Sequence, residues 1–250
     1  MDHKIGSLPL VIFEHDVVHR TDLAVLGGYN HAAKSVDGAV DVADFDEFAR
    51  QCEYFVDVAS DYKCDFILFP ELFSMQLLSF LKAERPGLAV RRLAEQTPGY
   101  LELLSRLALR YDVNIIGGSI FAVEHERLYN VAYLFHRNGG IDKQYKLHVT
   151  PNERRWWGVV PGNRLEVFNT DKGKVSIQIC YDIEFPEVSR IAVDRGARIL
   201  FVPYCTDGTV NFSITQNGTP TWLATEADVV LLRMAASGPT AFATSSCGTW

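Results

Sequence analysis

Three polar residues stand where an apolar run stops. Glu71 follows Phe66-Ile-Leu-Phe-Pro70, Lys146 ends the run that begins at Ile141, and Cys180 follows Val175-Ser-Ile-Gln-Ile179. In open α/β sheets such strand ends are where ligands meet the protein. The three side chains also form a coherent chemical set. A thiol with a pKa of about 8.5 is only partly ionised at neutral pH, and needs a base or a positive neighbour to become a strong nucleophile. Glu71 is the type of residue that takes a thiol proton. Lys146 is the type that steadies a thiolate and the oxyanion formed on an attacked carbonyl. A helix beginning just after Cys180 would add a partial positive charge and the Tyr181 N–H as a further oxyanion donor. Each residue also has a plain structural reading. A cysteine ending an apolar strand is commonly a small buried hydrophobe, a glutamate after proline a first-turn acid, and a lysine on a hairpin a guard of its edge.

The elements that must position these residues alternate along the chain. Leu10–Phe13 and Leu23–Leu26 are short apolar runs of strand length. From Asp44, a capping residue, Phe45, Phe48, Ala49, Phe55, Val56 and Ala59 recur at helical spacing. Asp65 to Pro70 is a continuous apolar run, the pattern of a strand buried on both faces. Thr97-Pro98-Gly99 predicts a helix running through Leu109, with Thr97 as cap. Asn114–Val123 and Leu128–Arg137 read as strands, and Asn138-Gly139-Gly140 as a turn into a third at Ile141–Leu147. After a loop rich in Pro, Arg and Trp, Leu165–Asn169 and Lys174–Cys180 form a strand pair around Asp171-Lys172-Gly173. A helix over Pro186–Asp194 leads to a buried strand at Arg198–Pro203. Helices alternating with strands and hairpins predict an α/β fold with a mixed sheet.

Composition narrows the function classes. Of 250 residues, 48% are hydrophobic and 22% charged, with 31 acidic against 24 basic residues and a net charge of −7. That is too apolar for a disordered chain, and no apolar run is long enough to span a membrane. An acidic chain without a Lys/Arg block binds nucleic acid and anionic membranes poorly. Five scattered cysteines do not form a disulfide framework, and Met1–Leu8 is not followed by a signal-peptide core. The expectation is a cytoplasmic protein with reduced thiols. His15 and His19 are spaced four apart but lack a third ligand nearby, so no metal is expected. Asn211-Phe-Ser213 and Asn217-Gly-Thr219 match the glycosylation sequon without a secretion signal.

The sequence around the three candidates is more specific than the residues themselves. Phe69-Pro-Glu-Leu72, Tyr145-Lys-Leu-His148 and Cys180-Tyr-Asp-Ile-Glu-Phe-Pro-Glu187 occur in that order, each after an apolar strand. Together they resemble the nitrilase superfamily, the carbon–nitrogen hydrolases. The resemblance implies a four-layer α-β-β-α sandwich with mixed sheets, no cofactor, and a Glu–Lys–Cys triad. Glu71 would be the general base and acid, Lys146 the stabiliser of the tetrahedral intermediate and Cys180 the nucleophile. It further implies a supporting glutamate a few residues after the lysine, here Glu153 in Thr150-Pro-Asn-Glu153. The order Cys-Tyr-Asp-x-x-Phe-Pro-Glu is similar to amidase-type members rather than true nitrilases, so the expected substrate is a small amide. Where several amidases for carboxylate-bearing substrates have arginine, this chain has Glu184. Facing the pocket it would suit an uncharged or cationic substrate; facing solvent it is a helix acid.

The resemblance covers residues 43–207 within a chain read as a single domain over 1–250, and is close to nitrilase-like modules found beside acetyltransferase modules. Both ends look atypical. Asp37-Gly-Ala-Val-Asp-Val42 is a poor copy of the family's first strand. After Gly208 only Glu226, Asp228 and Arg233 carry charge, where the family continues with a charged helix and a last sheet strand. Two alternatives to amide hydrolysis therefore stay open: an inactive scaffold with an incomplete pocket, and nitrile hydrolysis or acyl transfer by the same three residues. Besides substrate, a second copy of the chain is the partner the family suggests.

Overall fold

Two sheets share one apolar interior, and strand alternation shows how. In the computed structural model, which describes residues 10–13, 23–26, 42–81, 85–205, 215–216, 219–220 and 230–236, the first sheet comprises β1 (Leu10–Phe13), β2 (Leu23–Leu26), β3 (Phe66–Leu68), β4 (Asn114–Ile116), β5 (Ile120–Glu124), β6 (Arg127–Phe135) and β7 (Ile141–Tyr145). Parallel pairing joins β2, β3 and β4, whereas β1 and the β4–β7 region pair antiparallel. The second sheet runs β8 (Phe168–Thr170), β9 (Gly173–Ile177), β10 (Ile199–Cys205) and β13 (Val230–Ala236). A two-residue pair, β11 (Thr215–Gln216) with β12 (Thr219–Pro220), lies between the last two in sequence.

Successive side chains of a strand point to opposite faces. In β10, Ile199 and Phe201 enter the same apolar cluster as β3, with the Phe66 and Phe201 rings 5.2 Å apart. Leu200 and Val202, on the other face, pack with Ala192 of helix α4 (Pro186–Asp194). Helices α1 (Phe45–Asp61), α2 (Pro86–Ala94) and α3 (Thr97–Tyr111) belong with the first sheet. The layers are therefore helix, sheet, sheet, helix.

Asp44 caps α1 by accepting the Glu47 N–H at 2.8 Å, and Phe48, Cys52, Val56 and Ala59 form the buried stripe. Thr97 is buried, but its hydroxyl donates to the Phe121 carbonyl, and Gln96 occupies the cap position. The sequence run Asn114–Val123 is two strands on one edge of β6, interrupted after Ile116. The interruption has a steric cause. Gly118 has φ +59°, and a Cβ there would lie 1.9 Å from the Pro70 carbonyl oxygen; only glycine lets the two backbones approach so closely.

The expectation of a missing last strand is corrected. Val230–Ala236 pairs in parallel with all of β10, from Ile199 opposite Val230 to Cys205 opposite Ala236, so the charge-poor segment completes the second sheet. Beside β3, the strand position is filled by Leu23–Leu26. His15, His19, residues 37–41, Asn211, Asn217 and Cys247 lie outside the described residues. No helix among the described residues is long and apolar enough to cross a membrane.

Candidate active site

Each candidate side chain is held by backbone structure on both sides. Past β3, the Phe69 N–H still bonds to the Ile116 carbonyl at 2.9 Å. Pro70 lies against Gly118, and the Leu72 N–H donates to the Ser119 hydroxyl at 3.1 Å. Glu71 is thus fixed between two anchors on the β4–β5 break. Lys146 follows β7. Its N–H donates to the Asn130 carbonyl at 2.9 Å and its carbonyl accepts from Gly162 at 2.8 Å. Cys180 begins a short 3-10 turn, Cys180–Glu184, in the left-handed region at φ +48°. A non-glycine residue there stores about 1–3 kcal/mol of strain, a feature that concentrates at functional sites. The full helix expected straight after Cys180 begins only at Pro186. Five residues of 3-10 turn supply little aligned dipole, so local N–H groups are what this turn offers an anion.

Side chains from four separate segments converge. Lys146 Nζ is 2.8 Å from Glu71 Oε1 and 2.8 Å from Glu153 Oε2. Asn130 on β6 donates its amide nitrogen to Glu71 Oε1 at 3.0 Å and to Glu153 Oε1 at 2.9 Å. The Thr150 N–H and hydroxyl both donate to Glu153 Oε2 at 2.9 Å. The Cys180 thiol is hydrogen-bonded to Glu71, and its charge couples to Lys146. Side-chain exposure of Lys146, Glu71 and Glu153 is 2%, 3% and 5%, so water screens these charges little.

Two carboxylates share one ammonium in this buried space, and they are not equivalent. Burial pushes the Glu71 carboxyl above its ordinary value; the Lys146 charge opposes this, and the Glu153 charge adds to it. Burial pushes Glu153 the same way, but Lys146, Asn130 and Thr150 outweigh it, and its net displacement is downward. Burial disfavours the Lys146 ammonium, yet the two glutamates hold it protonated, above its ordinary range. The ammonium therefore balances Glu153, and Glu71 is the carboxyl able to exchange a proton near neutrality.

Asp182 ties the Cys180 turn to the segment after Lys146. Its carboxylate, 1% exposed, accepts from the N–H groups of Ile179 at 3.0 Å, Leu147 at 3.1 Å and His148 at 2.7 Å, and lies 3.0 Å from His148 Nδ1. The His148 ring stacks on Phe185, with centroids 3.6 Å apart. Tyr181 is half-buried, its ring edge-on to Phe185, and its N–H is the first after Cys180 in the turn. Glu184 is exposed at the far end of the turn. Trp157 packs edge-on against Phe121, while Trp156 is exposed under the Arg155 guanidinium. Cys52 and Cys64 are buried thiols apart from the cluster.

The structure brings together Glu71, Lys146, Glu153 and Cys180. Sequence reasoning missed Asn130, Thr150 as a partner of Glu153, and Asp182 as a clamp. One signal was present: Asn130 interrupts the otherwise apolar strand Leu128–Phe135 in a position without turn chemistry.

The model of the carbon-nitrogen hydrolase family matches residues 26–237, most of the chain and more than the stretch 43–207. The chain belongs to the carbon-nitrogen hydrolase family. Probable hydrolase YhcX of Bacillus subtilis is 58% identical over 166 residues, covering 66% of this chain and 32% of that protein. Omega-amidase NIT2-A of Xenopus laevis is 35% identical over 119 residues, 44% of this chain and 43% of that protein. The match thus spans about a third to a half of these relatives' length. Among solved structures, an amidase from Nesterenkonia sp. shares the fold with a TM-score of 0.69 at 22% identity, over 90% of this chain and 79% of that one.

Proposed function

We propose that this carbon-nitrogen hydrolase family member hydrolyses the C–N bond of a small amide through a thioester on Cys180. The observation that carries the reading is the Cys180 thiol bonded to a buried glutamate that is itself paired with Lys146. Glu71 takes the thiol proton, and Cys180 Sγ attacks the carbonyl carbon. Negative charge develops on the carbonyl oxygen, where the Lys146 ammonium and the Tyr181 N–H meet it in a dry site that strengthens both interactions. As the tetrahedral intermediate collapses, the C–N bond breaks and Glu71 returns the proton to the departing nitrogen, releasing ammonia. Water then enters, Glu71 removes its proton, and a second tetrahedral collapse releases the carboxylic acid and restores the thiol. Glu153 touches none of the reacting atoms in this scheme; it keeps Lys146 charged and placed. A variant of the Nesterenkonia amidase that carries acrylamide added at its active-site cysteine supports the assignment by analogy.

The test is ammonia release from a panel of aliphatic amides, nitriles and carbamoyl compounds, with native protein and Cys180→Ala. Amides should release ammonia with the native protein and none above background with the variant. Undiminished release by Cys180→Ala would refute the mechanism, and nitriles turned over in preference to amides would replace the substrate class.

A further inference from the structure

We infer that Asn130 is a positioning residue that makes Glu71, rather than Glu153, the carboxyl which exchanges protons with Cys180. The inference rests on the proposed reaction and deepens it.

Asn130 stands between the two glutamates. One amide nitrogen reaches Glu71 Oε1 at 3.0 Å and Glu153 Oε1 at 2.9 Å, so each of its hydrogens serves one carboxylate. The opposite orientation would set the amide oxygen against two acceptors, so the direction of this side chain is fixed by chemistry. Its oxygen has no hydrogen-bond partner among the described residues although it is buried. A residue serving only the packing of β6 would not leave a buried acceptor unpaired in the middle of an apolar strand. Asn130 also holds Lys146 from behind, since its carbonyl accepts the Lys146 N–H. One residue therefore contacts the base, the supporting carboxylate and the backbone of the lysine.

The charged and titratable groups facing Glu71 are Lys146 from the end of β7, Glu153 from the Glu153–Trp157 turn and Cys180 from the turn after β9. Glu153 receives donors from Lys146, Asn130 and both Thr150 groups, and stays ionised with one of them removed. Glu71 depends on Lys146 and Asn130 at a single oxygen. Removing the Asn130 donor therefore destabilises the ionised form of Glu71 more than that of Glu153, and Glu71 becomes a competent base only at higher pH.

The experiment is the pH dependence of Cys180 alkylation by iodoacetamide, quantified on the Cys180 peptide without substrate, in native protein, Asn130→Leu and Asn130→Asp. Leucine keeps the volume and removes the donors; aspartate keeps the shape and adds a third carboxylate. Both should move the acid limb to higher pH, aspartate further. With leucine the rate should fall about tenfold on the acid side and stay within about threefold on the alkaline plateau. Folding is checked by near-ultraviolet circular dichroism, and the isosteric aspartate carries the test if leucine does not fold. An unmoved limb, or a uniform loss at every pH, would overturn the inference. A moved limb in a protein that hydrolyses no amide would leave Asn130 in this role and remove the proposed reaction. Cysteine-dependent amide hydrolysis with an unmoved limb would do the reverse.

Discussion

Asp182 offers the sharpest test of how the site is assembled, because one carboxylate joins the Cys180 turn to the chain after Lys146. Its two oxygens serve the N–H groups of Ile179, Leu147 and His148 and the His148 ring. In Asp182→Asn the side chain keeps its size but only one accepting oxygen. Kept toward His148, that oxygen leaves an amide nitrogen facing the buried Ile179 N–H at the present 3.0 Å, donor against donor. Turned around, it abandons His148. Either way a buried N–H loses its partner, at about 1–3 kcal/mol, and the bonds that remain lose the strength a charged acceptor gave them. The sum is about 2–4 kcal/mol of stability. Relaxation of the turn moves Sγ relative to Nζ, and displacements of about 1 Å lower rates by about a hundredfold. Urea denaturation gives the first quantity and kcat on the best amide of the panel the second. An Asn variant within about 0.5 kcal/mol of native stability and about threefold of native kcat would refute the reasoning.

Further outcomes follow from the same geometry. Glu71→Gln keeps an acceptor for Lys146 but no base, so kcat should fall by about 10²–10⁴-fold, as stopped-time ammonia assays would register. In the native protein kcat/KM should drop as pH falls through the raised pKa of Glu71, and a profile flat into the ordinary carboxylate range would contradict that assignment. The folded chain holds this proton to higher pH than the unfolded chain, so Glu71 lowers stability as pH rises from the ordinary value through the raised one. Denaturation of Glu71→Gln across that window should show the slope reduced. Gly118→Ala places a methyl group 1.9 Å from the Pro70 carbonyl at φ +59°; it should lose more than about 1 kcal/mol in thermal melts and lose activity at temperatures where it remains folded.

Local pattern carried much of the architecture. Helix α4 begins and ends at the residues the sequence indicates, because Pro186 at the first turn and apolar residues at helical spacing are local signals. Helix α2 escaped notice: nine residues with only Val90, Leu93 and Ala94 buried leave too short a period to read. The break between β4 and β5 also escaped, since its cause is a contact between Gly118 and Pro70 across the sheet. The last strand was hidden by composition. Its seven residues are apolar enough for a parallel strand, but a segment so poor in charge did not look like part of this fold.

By itself the sequence determined which residues end the strands and which chemical types they bring, since strand length and apolar runs are local properties. The protonation pattern belongs to the tertiary structure alone. Glu71 and Lys146 are 75 residues apart in the chain, and nothing in either neighbourhood says that Asn130 stands between two glutamates or that one ammonium serves both. A carboxyl's proton affinity is set by the water it has lost and the charges brought near it, and both quantities exist only once the sheets have closed.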